Sequence, residues 1–119
     1  MKNLMLSRPF LTRIPDQSMV LDAQEETSNY VIATRDSEGS YAMIYFPTGK
    51  TTNLDLSKIE GTKVNGWWFD PRTGNAFPTS EINPSKKVTI APPTSGKGHD
   101  WVLVVDDASK NFTAPGKRN

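Results

Sequence analysis

The sequence predicts an all-β fold, an antiparallel β-sandwich with hairpin and meander connections, and three observations predict it. Eight glycines and nine prolines are spread along the 119 residues, so almost no window of helix length is free of a breaker. Short runs rich in β-branched and aromatic residues recur along the chain, the composition that suits pleated, partly buried strands. Turn residues separate these runs at roughly regular spacing, which is the signature of a sandwich or barrel.

Taken in order, residues 1–22 hold apolar side chains without clean alternation and include Pro9 and Pro15, so they read as a connector lying against something else. YVIATRD (Tyr30 to Asp36) and YAMIYF (Tyr41 to Phe46) flank Ser37-Glu38-Gly39, which suits a type I turn closed by a left-handed glycine, and they form a hairpin. Pro47-Thr48-Gly49 repeats that chemistry before KTTNLDL, extending the expectation to a three-stranded meander. Thr52, Leu54 and Leu56 alternate with polar neighbours, so this strand has one wet face near a sheet edge. YAMIYF and WVLVVDD are apolar on both faces and belong at the sheet centre. KVNGWWFD and KKVTIAP complete the set over residues 23–107, and the polar residues 108–119, with Pro115 and Gly116, read as a flexible tail.

The chain is long enough for a single domain, and its 35% hydrophobic content supplies one core. Fourteen basic side chains against thirteen acidic ones leave a net charge of +1 with no basic block, so the electrostatic footprint of a nucleic-acid binder is missing. The absence of cysteine excludes disulfides, thiolate metal sites and thiol nucleophiles, while leaving the compartment open. Ser7, Arg8 and Pro9 interrupt the apolar residues at the start, so this stretch reads as neither signal peptide nor membrane span.

Chemistry is sparse. Asp70-Pro71-Arg72-Thr73-Gly74 reads as a hairpin turn: Pro71 starts it, Gly74 leaves it left-handed, and the Asp70 carboxylate accepts turn amides. Turn architecture outweighs a reading of Asp70 and Arg72 as general acid and substrate clamp. Glycoside hydrolysis needs two carboxyl groups about 5–9.5 Å apart, and Glu60, Asp70, Glu81, Asp106 and Asp107 offer no spacing that singles out such a pair. His99 is the sole histidine, so packing or hydrogen bonding is favoured there over catalysis. Asp100 beside it lacks calcium-loop spacing and is read as solvated. No catalytic residue, metal or cofactor is assigned.

The adjacent Trp67 and Trp68 cannot enter one core from an extended strand, because consecutive side chains point to opposite faces. Val64, Gly66 and Trp68 share one face, and Gly66 leaves an indole room, so Trp68 is expected in the core. Trp67, with Asn65 and Phe69 on its face, is the candidate for a domain interface, a sugar-stacking platform or a lid over a sheet edge. Docking or local packing is preferred over sugar binding. Arg72, in the adjoining turn, joins Trp67, Asn65 and Phe69 as a candidate binding or interface residue. Asp70, Pro71 and Gly74 are assigned to the turn.

The strings SRPFLTRIPDQSMV, YAMIYFPTGKTTNLDL, GWWFDPRTG and GHDWVLVVDD resemble, in that order, the C-terminal module of bacterial apiosidase-like glycoside hydrolases, the family labelled "putative collagen-binding domain of a collagenase". The resemblance runs from about Ser7 to Asp107. It implies that residues 1–22 lead from a catalytic (β/α)8 barrel, which needs about 250 residues and does not fit in this chain. It further implies a non-catalytic, monomeric sandwich that docks on that barrel in a secreted or periplasmic bacterial enzyme of carbohydrate metabolism. The rivals are an independent module binding polysaccharide or collagen-like matrix, and a small stand-alone hydrolase.

Overall fold

The computed structural model describes residues 13–16, 19–21, 31–48, 51–56, 59, 64–79, 87–94 and 100–107. His99, Glu60, Glu81, the tail over 108–119 and most of the connector over 1–22 lie outside them. Among the described residues there are eight strands: β1 (Arg13–Pro15), β2 (Ile32–Asp36), β3 (Tyr41–Phe46), β4 (Thr52–Asp55), β5 (Val64–Asp70), β6 (Asn75–Pro78), β7 (Lys87–Ile90) and β8 (Trp101–Asp107). All pairings are antiparallel, and the strands form a six-stranded sheet ordered β1-β2-β3-β8-β5-β6 facing a two-stranded sheet of β4 and β7.

The two-faced apolar strands sit where that composition requires. β8 is buried along its whole length between β3 and β5, and β3 is buried at every position except Tyr45, which is half-buried. The Asp36–Tyr41 hairpin turns through Gly39 at φ 80°, whose amide donates to the Asp36 carbonyl at 2.9 Å. The Asp36 carboxylate accepts from the Glu38 and Ser40 amides and from the Ser40 hydroxyl, so the residue that ends β2 also satisfies the loop's donors.

The sequence-based expectation of a β2-β3-β4 meander is corrected in its third strand. Consecutive pairing does occur, but as β1-β2-β3, whereas β4 leaves for the second sheet and pairs with β7 through Thr52↔Ile90 and Leu54↔Val88. The reason is burial: Thr52, Leu54 and Leu56 are buried on one side of β4, and a strand with one apolar face covers a core better by facing the large sheet than by extending its edge.

The segment expected to be a connector contributes to the sandwich. Arg13–Pro15 pairs with β2, and the Asp16 amide donates to the Ala33 carbonyl at 3.1 Å. Met19 and Val20 are then buried in the core, Val20 bridges Leu54, and the Leu21 amide reaches the Asn53 carbonyl at 2.9 Å. The chain thus crosses from one sheet to the other along the β1 side, and Arg35 Nε holds Asp16 Oδ2 at 2.6 Å at the crossing.

The large sheet is packed on both faces. Between the sheets lie Val31, Ala33, Ala42, Ile44, Phe46, Leu54, Leu56, Trp68, Leu103 and their neighbours, whereas Tyr41, Met43, Phe69, Val102 and Val104 form a second cluster on the outer face.

Candidate functional site

Strand alternation separates the two tryptophans. Trp68 pairs with Leu103 and lies 7% exposed in the core between the sheets, its ring edge-on to Phe46 at 5.6 Å and to Trp101 at 6.1 Å. Trp67 pairs with Val104 and packs half-buried against the outer cluster. Its indole Nε1 is buried without a hydrogen-bond partner. Phe69, expected beside Trp67 as an interface residue, is itself buried in that outer cluster, because the outer face is packed rather than open. Asn65, two residues before Trp67 on the same face, is exposed.

Arg72 is far from this group in character. The turn from Asp70 to Asn75 is a four-residue loop whose Gly74 has φ 79°. The Thr73 and Gly74 amides donate to the Asp70 carbonyl at 3.2 and 2.8 Å, and the Arg72 amide donates to Asp70 Oδ1 at 2.9 Å. The Arg72 side chain folds back over its own turn: Nε donates to Asp70 Oδ1 at 3.0 Å and stands 3.7 Å from Asp100 Oδ1. Its guanidinium carbon lies 5.2 Å from the centroid of the Trp101 ring, a cation–π distance.

Around Arg72 the sandwich end closes into a network that sequence spacing did not reveal. Tyr45 donates its hydroxyl to Asp100 Oδ2 at 3.2 Å, so Tyr45 on β3, Asp100 before β8 and Arg72 after β5 form one polar chain across three neighbouring strands. Trp101 Nε1 donates to Thr94 Oγ1 at 2.9 Å, and Phe77 on β6 stands edge-on to Trp101 at 5.8 Å. Phe46, Trp68, Trp101 and Phe77 are therefore a continuous aromatic ladder that runs from the core to an end at Phe77, which is 41% exposed. Phe77 was missed because NAFP reads as the return of a hairpin; only the pairing Trp68↔Phe77 places its ring on the core side of the sheet's last strand.

The electrostatics of this end are set by Arg72 and Asp100. Burial raises the Asp70 carboxyl, but hydrogen bonds from Arg72 and Thr73 and the Arg72 charge outweigh it, and the group lies below its ordinary value. Such a carboxylate stays ionised and is a poor proton donor. Burial, the Asp100 charge and the hydrogen bond to Asp100 all raise the Tyr45 phenol, which keeps it a neutral donor. Among the described residues no group of three His, Asp or Glu side chains is placed to hold a metal ion.

A family model described as "Putative collagen-binding domain of a collagenase" matches residues 14–106, nearly the whole span from β1 to β8. Two solved structures share 35% identity with the chain at a TM-score of 0.86, each covering 94% of it: one named glycoside hydrolase, the other a glycoside hydrolase family 5 protein from Bacteroides vulgatus ATCC 8482. The chain spans about a quarter of their length, 25% and 24%. No curated protein matches it.

Proposed function

Because the chain belongs to the family described as "Putative collagen-binding domain of a collagenase", we propose that it serves as a non-catalytic accessory module of a bacterial glycoside hydrolase, packed on a (β/α)8 catalytic domain and stabilising it. The observation that carries this reading is the match of almost the full chain to only a quarter of two glycoside hydrolase chains. A sandwich that is one part in four of a hydrolase, with its own core packed on both faces of the large sheet, fits a domain that folds by itself and adds a surface to its neighbour.

The site chemistry supports the same reading. Asp70 and Asp100 both engage Arg72, and Asp70 is held below the ordinary carboxylate range, whereas a glycosidase needs one carboxyl kept protonated as the acid. The module acts outside the cell in this proposal, secreted or periplasmic with its parent enzyme, and as a monomer.

The test is a hydrolase of this architecture produced with and without the module. Its catalytic domain melts at a lower temperature when the module is removed, and the isolated chain hydrolyses no glycoside. An unchanged melting temperature excludes docking, and glycoside turnover that disappears on replacing Asp70 or Asp100 excludes the accessory role.

A further inference from the structure

The edges of the large sheet are β1 and β6. At the β1 edge the Asp16 amide bonds Ala33 of β2, Val20 bridges Leu54 of β4, and Met19 is buried. β6 is exposed at Asn75, Phe77 and Pro78. Phe77 points to the core side and still leaves 41% of its surface in water.

This ring is also held in place. It rests edge-on against Trp101, which rests on Trp68 and is pinned by Thr94, while the β5–β6 pairing fixes the backbone beneath it. The Arg72 guanidinium, bound to Asp70 and 3.7 Å from Asp100, lies over the same Trp101 ring that Phe77 touches, and the exposed Asn75, paired with Asp70, stands two positions before Phe77 on β6. An apolar ring rimmed by fixed donors and acceptors is complementary to a ligand that is apolar on one face and hydroxylated around its edge, and a pyranose is such a ligand.

We propose that Phe77, rimmed by Arg72, Asp70, Asp100 and Asn75, is a saccharide-stacking subsite for a neutral polysaccharide. Asp70 and Asp100 both lie within 4 Å of Arg72, so the guanidinium is already engaged by carboxylates and offers a polyuronate no added attraction there. A single ring supplies one subsite, so binding is weak, with removal of the ring costing about tenfold in affinity. The proposal does not rest on docking to a catalytic domain; glycan binding reads the one and the melting temperature of the joined protein reads the other.

The experiment is affinity electrophoresis of the chain in gels containing hydroxyethylcellulose, galactomannan, arabinogalactan or polygalacturonate. At least one neutral polymer retards the wild-type chain, polygalacturonate does not, and Phe77→Ala lowers the affinity read from the retardation about tenfold while Phe77→Tyr retains it. A second measurement is independent of any variant: on titration with the retarding polymer's oligosaccharide, the indole N–H resonance of Trp101 shifts and that of Trp67 does not. The proposal is overturned by retardation in none of the neutral gels, by an affinity that Phe77→Ala leaves unchanged, or by tighter binding to polygalacturonate. It is equally overturned if Phe77→Ala leaves glycan mobility unchanged but weakens the contact with the catalytic domain, which makes the ring a docking residue.

Discussion

Replacing Trp68 with alanine removes an indole that touches Phe46 and Trp101 between the two sheets, and a large-to-small change in such a core costs about 3–5 kcal/mol. Trp67→Phe costs clearly less, because it keeps a ring on the outer face and deletes an indole N–H that is buried without a partner, a group whose burial is itself unfavourable by about 1–3 kcal/mol. Urea unfolding of the two variants checks the difference, and equal losses contradict it. Gly74 separates strain from space in the same way. A side chain there meets nothing within 4 Å, yet φ is +79°, so Gly74→Ala loses about 1–2 kcal/mol through backbone conformation alone. Gly74→Asn loses less, since asparagine tolerates the left-handed region; an equal loss in the two variants points to a contact instead.

At the scale of the element, the β5–β6 hairpin is tied by a carboxylate whose ionisation is linked to folding. The folded Asp70 value is lowered from 3.8, so its contribution to stability is fully present above the unfolded value and is lost as pH falls through the lower folded one. Tyr45 works with the opposite sign: its folded value is raised above 10.0, so its contribution is complete below pH 10 and lost as pH rises through the folded value. Denaturant midpoints across both ranges test this, and Asp70→Asn flattens the acid limb while Tyr45→Phe flattens the alkaline one. A parallel acid limb in Asp70→Asn assigns the effect to another carboxylate. Hydrogen exchange separates the strands as well: β3 and β8, paired on both sides and buried, protect their amides most, while the edge strands β1 and β6 protect theirs least. Comparable protection in β1 means that the crossing from Asp16 to Leu21 locks that edge into the global unit.

The whole molecule is expected to unfold in one cooperative step without any second domain, since both faces of its large sheet are packed within the chain. Coincident thermal transitions by far-ultraviolet circular dichroism and tryptophan fluorescence check this. Two separated transitions contradict it. What the sequence by itself determined is local: strand character from β-branched and aromatic runs, the hairpin turns through Gly39 and Gly74, the central place of YAMIYF and WVLVVDD, and the opposite destinations of Trp67 and Trp68. These follow from the two-residue period of a strand and the steric freedom of glycine, which act within a few residues. Pairing partners are another matter, because an apolar face can be covered by a neighbour in its own sheet's second layer or by any other strand of matching pattern. Only the tertiary structure decided that β4 turns away from β3 to pair with β7, that Arg13–Pro15 pairs with β2, and that Val20 bridges Leu54 of β4. The same long-range pairing brought Tyr45, Arg72 and Asp100 together and set Arg72 and Phe77 against Trp101. Those residues are up to 55 positions apart in hydrogen-bonded pairs, and no local spacing records a contact that arises only when β8 is inserted between β3 and β5.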